Sequence, residues 1–201
     1  MDSSVMDILL ALCIGITLSA ACGFRIFVPP LVMSAGAIYG DFDLGGGFGW
    51  MATYPALIAF AAATVAEILA YYVPVVDNIL DGIEIPTAIA VGTLITSASI
   101  GSFTEVEPIL KWAMAISLGG GTAGIIESFT AVTRATSTAV TGGLGNPVVS
   151  TTEALSAGVL SLLALFAPLF AIVVVLGVLA IAFKQVAKLF RRKSISQNSQ
   201  S

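Results

Sequence analysis

Long apolar runs separated by short polar or glycine-rich stretches recur along the chain, with a spacing typical of membrane-spanning helices. A helix needs roughly 20 apolar residues to cross the hydrocarbon core of a bilayer. We predict about six segments, at residues 6–22, 24–39, 53–73, 85–100, 109–131 (or further) and 154–183. The pattern predicts an all-α, polytopic membrane protein, because strands of a membrane barrel alternate apolar and polar residues instead.

Prolines and glycines interrupt several of these segments. The second is short and contains Pro29-Pro30, and the sixth contains Pro168 near its middle. Proline removes a backbone donor and disfavours a continuous helix, so we expect short or broken helices. The second segment could be a re-entrant half-helix instead of a span. Residues 141–147 are glycine-rich and are predicted to form a loop.

Composition supports a location in lipid. Hydrophobic residues make up 57% of the 201 residues and charged residues 10%, whereas soluble domains carry roughly 25% charged residues. We predict one transmembrane helical domain at residues 1–185 and a tail at residues 186–201 that is first basic and then polar. Five of the eight Lys and Arg residues lie between Lys184 and Lys193. The positive-inside rule therefore predicts a cytoplasmic C-terminus, and an even number of spans would place the N-terminus there too.

Outside the tail and the loops, we predict four embedded charged residues, namely Arg25, Glu67, Glu127 and Arg134. Each such charge at the centre of a span costs about 2.5–3.5 kcal/mol on insertion scales. We predict two networks, Arg25 with Glu67 and Glu127 with Arg134. The latter two are seven residues apart, so each is expected to find a partner on another helix. The pairs could fix helix register, or they could form a polar pathway or binding site.

The stretch from Thr130 to Thr152 is rich in Thr, Ser and Gly and contains Arg134 and Asn146. In lipid, hydroxyl groups bond to backbone or line polar cavities, and a guanidinium suits carboxylate or phosphate groups. This stretch is the strongest candidate for a substrate or ion site, and Asn146 is included in it. A plain extramembrane loop after a packed, Thr-rich helix is the alternative.

An acidic segment offers a second, weaker candidate. In a helix, Asp77, Asp81 and Glu84 lie on one face, at i, i+4 and i+7. Three carboxylates could hold a divalent cation. The same pattern describes a short amphipathic helix at the membrane interface with its acids facing water. The neighbouring Tyr71 and Tyr72 are predicted to belong to an interfacial aromatic belt.

A weak internal repeat is suggested by matches at a constant offset of 109 residues. Gly15-Ile16, Ser19 and Arg25 correspond in this way to Gly124-Ile125, Ser128 and Arg134. Each Arg is followed by a proline-containing break. Duplicated halves are common among membrane transporters.

The chain lacks the usual signatures of enzymes and cofactor proteins. It contains no His, and its two Cys residues form no metal motif. A nucleotide-binding loop is absent as well. We therefore expect a protein that is not an enzyme, uses no cofactor and binds no nucleic acid. The expected partners are membrane lipid and, through small-residue helix faces, a second copy of the chain or a larger membrane complex.

Three segments together resemble a known family. They are residues 20–29 (AACGFRIFVP), residues 71–81 (YYVPVVDNILD) and residues 133–147, which begin TRATST and end GGLGNP. The chain resembles the bacterial and cyanobacterial membrane family described as domain of unknown function 4126. The resemblance implies an integral protein of a cytoplasmic (inner) or thylakoid-type membrane, and it implies no activity.

Two functions remain open from the sequence. The embedded charges and broken helices favour a small transporter or channel for an ion or small polar solute, with a polar site inside the helical bundle. The small size and small-residue faces suit an accessory or scaffold subunit of a larger membrane complex. A transporter needs its charged residues to line a water-accessible cavity, whereas a scaffold needs them paired and dry.

Overall fold

The computed structural model is a bundle of helices, and the residues it describes contain no β-strand. It describes residues 3–40, 42–44, 48–72, 74–103 and 106–198, with side chains described for residues 5–40, 42–44, 48–72, 82–102 and 106–184. The helices are α1 (Ser3–Cys22), α2 (Val28–Tyr39), α3 (Tyr54–Ala70), α4 (Pro74–Phe103), α5 (Pro108–Met114), α6 (Gly121–Thr141), α7 (Asn146–Phe166) and α8 (Pro168–Asn198). A 3-10 turn, Gly49–Met51, precedes α3, and a π-helical segment, Ala115–Gly120, joins α5 to α6 as one continuous helix.

The all-helical fold is confirmed. Four stretches are long and apolar enough to cross a membrane, namely Val5–Cys22, Gly82–Ser102, Pro108–Thr141 and Asn146–Phe166. Three shorter apolar helices accompany them, namely Val28–Tyr39, Tyr54–Ala70 and Pro168–Lys184. Large apolar side chains such as Ile58, Leu155 and Leu176 are exposed on the outside of the bundle. The chain is therefore a helical membrane-embedded protein.

The predicted sixth segment is wrong as a single span. The chain breaks between α7 and α8 at Ala167, because Pro168 cannot donate a backbone hydrogen bond and begins a new helix. Helix α7 also begins earlier than predicted, at Asn146, directly after the glycine-rich loop. The even number of spans that placed the N-terminus in the cytoplasm assumed one continuous sixth segment, and this break removes that premise.

The fourth segment is longer than predicted. Helix α4 begins at Pro74 and continues through Pro86 to Phe103, so the acidic segment is the first part of this helix. The interpretation of that segment as a separate interfacial helix is therefore wrong. Pro86 lies inside α4 without ending it.

Helix α1 occupies the centre of the bundle. It packs most extensively against α4 and also against α6, α7 and α8. Ser19 of α1 donates to the carbonyl oxygen of Gly92 at 2.7 Å and lies 2.8 Å from Thr96 Oγ1. These buried polar contacts join two helices that approach closely through small residues, as is common in membrane bundles.

The turn between α6 and α7 explains why the glycine-rich loop has its composition. Gly142 and Gly143 have φ values of 65° and 91°. Residues that carry a Cβ atom rarely adopt this backbone conformation. The turn reverses the chain within four residues. The ends of α6 and α7 that carry Arg134 and Glu153 are therefore held side by side.

Gly23 allows the chain after α1 to lie directly against α6. A Cβ atom at Gly23 would come within 2.6 Å of both the carbonyl oxygen of Ala123 and Cβ of Ile126. We expect Gly23→Ala to lower the free energy of unfolding by about 1–3 kcal/mol, the usual effect of overpacking. Thermal unfolding in detergent checks this, with Gly158→Ala as the control, because a Cβ there meets no atom within 4 Å. Equal melting temperatures for the two variants would contradict the close approach.

Candidate functional site: a buried arginine–glutamate cluster

Two arginines and four glutamates converge inside the described part of the bundle. Arg25 lies in the link between α1 and α2, Glu67 near the end of α3, and Glu84 in α4. Glu127 and Arg134 belong to α6, and Glu153 belongs to α7. All six side chains are buried. We call these six residues the Arg–Glu cluster.

Arg134 is the centre of the cluster. Its Nη2 atom donates to Oε2 of Glu84 and to Oε1 of Glu127, each at 3.0 Å. Its Nε atom lies 3.8 Å from Oε1 of Glu153. The predicted network of Glu127 with Arg134 is present, because the long arginine side chain reaches two turns back along α6. Arg134 also has the expected partner on another helix, Glu84 of α4. Arg134 joins carboxylates from α4, α6 and α7.

Arg25 reaches α7. Its Nη2 atom donates to Oε2 of Glu153 at 3.0 Å and to Oγ of Ser150 at 2.6 Å, and it lies 3.2 Å from the carbonyl oxygen of Ser150. The two oxygens of Glu153 therefore face different arginines, Oε2 towards Arg25 and Oε1 towards Arg134. Glu153 bridges the two cations and joins the link after α1 to α6.

Glu67 binds the backbone beside Arg25 rather than the predicted guanidinium. Its Oε1 accepts from the amide of Ile26 at 2.7 Å, and its Oε2 accepts from the amide of Phe27 at 3.2 Å. Those amides precede the first turn of α2, where backbone donors have no partner within the helix. The predicted network of Arg25 with Glu67 is therefore indirect. The ion-pair partner of Arg25 is Glu153, while Glu67 fixes the backbone that directly follows Arg25.

Tyr71 lies between the arginines and α3. The guanidinium carbons of Arg25 and Arg134 lie 4.0 and 4.3 Å from the centroid of its ring. Tyr71 is 1% exposed whereas Tyr72 is 47% exposed, so the interpretation of Tyr71 as an interfacial residue is wrong. A cation over a desolvated aromatic ring contributes about 2 kcal/mol. The ring thus partly compensates both arginines for their loss of water.

The charges of the cluster do not balance. With every group ionised, four carboxylates face two guanidiniums, an excess of two negative charges. Glu84 and Glu127 each lie 3.0 Å from the same nitrogen atom, Nη2 of Arg134. The two carboxylate oxygens that bind this nitrogen are therefore close to each other. The two carboxylates therefore share one cation and lie close enough to repel each other.

Two cavities reach the cluster from different sides. The α3–α4 cavity has a volume of about 420 Å³ and is lined at its polar end by Glu67, Glu84 and Thr87. The α6–α7 cavity has a volume of about 100 Å³ and is lined by Thr130, Thr133, Thr152, Glu153 and Ser156, with Phe24, Phe129 and Val149. Carboxylates of the cluster thus form part of the walls of both cavities, while both guanidiniums are 1% exposed.

The other candidate residues have different positions. Asn146 begins α7 and donates from Nδ2 to Oγ1 of Thr138 at 2.8 Å, which holds the α6–α7 turn. It lies two helical turns before Glu153. The side chains of Asp77 and Asp81 lie outside the described residues, so the divalent cation site stays a prediction. Its third member, Glu84, bonds to Arg134. Among the described side chains, no group of three His, Cys, Asp or Glu is arranged to hold a metal ion.

Sequence reasoning missed Glu153, Ser150 and Tyr71. Glu153 lies immediately before the predicted start of the sixth segment and therefore outside the predicted spans. The signal that could have found it is its spacing from Asn146-Pro147, since a proline in the first turn is typical of a helix start. A helix beginning there places Ser150 and Glu153 three residues apart on one face.

The fold and the cluster define a polytopic helical membrane protein with a buried network of arginines and glutamates. The family model for Domain of unknown function (DUF4126) matches residues 12–188, and the chain belongs to this family. No curated protein and no solved structure matches the chain. The matched range includes every residue of the Arg–Glu cluster.

Proposed function

We propose that the chain is a small membrane transporter or channel for an ion or small polar solute, and that the Arg–Glu cluster is its polar site. The observation that supports this most strongly is the excess of carboxylates over guanidiniums in a buried network. Ion pairs that only fix helix register need no such excess. A site that exchanges a proton or small cation does need it, because the cargo supplies the missing positive charge.

The proton is the ion that this geometry favours. Among the described residues, the carboxylates of Glu84, Glu127 and Glu153 surround one guanidinium at hydrogen-bonding or ion-pair distances. A proton shared between Glu84 and Glu127 would remove one excess charge without adding volume. Ionisable side chains inside membrane bundles commonly form proton relays. Two separate cavities that contact the cluster, one at Glu67 and Glu84 and one at Glu153, support this choice.

An accessory or scaffold role is the second candidate. The observation favouring it is that the cluster ties together α3, α4, α6, α7 and the link after α1, with both guanidiniums buried and ion-paired. In that role the network would stabilise the bundle while its apolar outer faces contact a partner. Neither role assigns a catalytic step to the cluster.

Ion flux in proteoliposomes tests the proposal. Vesicles with a trapped pH-sensitive dye receive a potassium diffusion potential through valinomycin, and the internal pH is followed. We expect vesicles with the full chain to admit protons faster than protein-free vesicles. Proton entry equal to that of protein-free vesicles, together with equal uptake of sodium and potassium tracers measured without valinomycin, would favour the accessory role.

Orientation belongs to the same proposal. We propose a cytoplasmic (inner) or thylakoid-type membrane with the C-terminus on the cytoplasmic side, because the basic residues gather at residues 184–193. A reporter fused after Ser201 should be active in the cytoplasm. Activity confined to the opposite side would overturn this orientation.

A further inference from the structure

A groove runs along the bundle between α3 and α4. Helix α3 packs against α2 and makes little direct contact with α4 in the described part of the chain. An apolar cavity of about 130 Å³ lies beside the α3–α4 cavity. The two cavities share Phe27 in their walls. We call the two cavities together the α3–α4 groove.

Each helix presents a single face to this groove. On α4 the lining residues recur at helical spacing, as Ile83, Glu84, Thr87, Val91, Leu94, Ile95 and Ala98. Glu84 and Ala98 are 14 positions apart in α4, so the stripe extends about 21 Å along the helix axis. On α3 the lining residues are Phe60, Ala63, Ala66, Glu67 and Ala70. Three of these five residues are alanines, whose short side chains leave the space beside them unfilled.

The groove has one polar end and one apolar end. The α3–α4 cavity is lined by the carboxylates of Glu67 and Glu84. Its volume lies within the range of about 300–1,000 Å³ that is typical of small-molecule sites. The apolar cavity of about 130 Å³ is lined by apolar side chains, among them Met33, Phe48, Trp50 and Met51. Leu94 and Trp50 are exposed, so this part of the groove is open at the outer surface of the bundle.

We propose that the α3–α4 groove binds an amphiphile with an ammonium head and one alkyl chain. The head would lie at Glu67 and Glu84, and the chain would lie along Val91, Leu94 and Phe60. Charge complementarity selects the head, because the Arg–Glu cluster, to which these two carboxylates belong, has two more carboxylates than guanidiniums. The apolar stripe below them selects a chain and excludes a small hydrated ion as the occupant of the whole groove.

This inference deepens the proposed function, since a cationic amphiphile would be a cargo whose charge substitutes for the proton of the cluster. The claim that the amphiphile is a cargo rests on the proposed function. The claim that the groove binds an amphiphile rests on the groove alone. A binding measurement therefore remains informative if the protein moves no ion.

Photolabelling tests the site. An alkylammonium with a diazirine near the end of its chain is irradiated with the full protein in nonionic detergent, and the labelled residues are identified by mass spectrometry. We expect labels on Phe60, Val91 or Leu94. Dodecylammonium should compete about tenfold better than dodecanol, the effect of losing one interaction with a charged group. Ethylammonium, which has no chain, should compete poorly.

Two variants and a control complete the test. Ala63→Phe should fill the groove and suppress labelling, and Glu67→Gln should weaken competition by dodecylammonium about tenfold. Val65→Phe serves as the control, because residue 65 is 57% exposed and is rotated about 200° from Ala63 around α3. Labels spread over the outer faces of α7 and α8, or unaffected by Ala63→Phe, would overturn the site. Equal competition by dodecanol would overturn the ammonium head.

Discussion

Replacing Arg134 with glutamine is expected to lower the free energy of unfolding by about 3–5 kcal/mol, the usual cost of removing one partner from a buried ion pair. The guanidinium holds Glu84 and Glu127 at 3.0 Å and lies 3.8 Å from Glu153. Without it, three buried carboxylates from three helices would repel one another.

Compensating substitutions separate electrostatics from packing in this prediction. Adding Glu84→Gln and Glu127→Gln to Arg134→Gln removes two of the three carboxylates left without their cation. Part of the lost stability should then return, measured as the midpoint of thermal unfolding in detergent. Two results would show that Arg134 does not stabilise the bundle through these carboxylates. One is a single variant with the same unfolding midpoint as the wild type, and the other is a triple variant with a lower midpoint than the single variant.

The second large effect is expected at Tyr71. Its ring contacts both guanidiniums and is almost fully buried. Tyr71→Ala should cost about 3–5 kcal/mol, as for other large aromatic residues replaced by alanine. Its hydroxyl has no hydrogen-bond partner among the described residues, so Tyr71→Phe should change stability little.

A third substitution of Tyr71 tests the cation–π contact. Tyr71→Leu retains much of the apolar volume but removes the aromatic face. Unfolding measurements should rank the variants with phenylalanine near the wild type, leucine lower and alanine lowest. A leucine variant as stable as the phenylalanine variant would show that the ring contributes volume alone.

Much of the fold could be predicted from apolar periodicity, because a span in lipid must satisfy its backbone hydrogen bonds internally. The breaks were harder to place. Pro86 and Pro168 have the same local chemistry, yet α4 continues through Pro86 and α7 ends before Pro168. The difference depends on the packing of each helix against its neighbours, which sequence spacing does not record.

The site could be predicted in part for a similar reason. The cost of burying charge singled out Arg25, Glu67, Glu127 and Arg134, and the structure brings all four together. Their partners depend on which helix ends lie side by side. Glu153 pairs with Arg25 across 128 positions of sequence, and no local pattern indicates such a contact. Asn146 was chosen for its loop, and its described hydrogen bond holds the α6–α7 turn.

The central claim is that the Arg–Glu cluster is the transport site, and Glu127→Gln tests it most directly. Glutamine keeps an oxygen for Arg134 while removing one exchangeable charge, and Glu84 and Glu153 remain beside the guanidinium. Proton flux should be compared in proteoliposomes that contain equal amounts of wild type, Glu127→Gln and the groove-distant Val65→Phe. We expect proton flux above the protein-free level for the wild type and for Val65→Phe. For folded Glu127→Gln we expect proton flux equal to that of protein-free vesicles. Undiminished flux through the folded Glu127→Gln variant would contradict it.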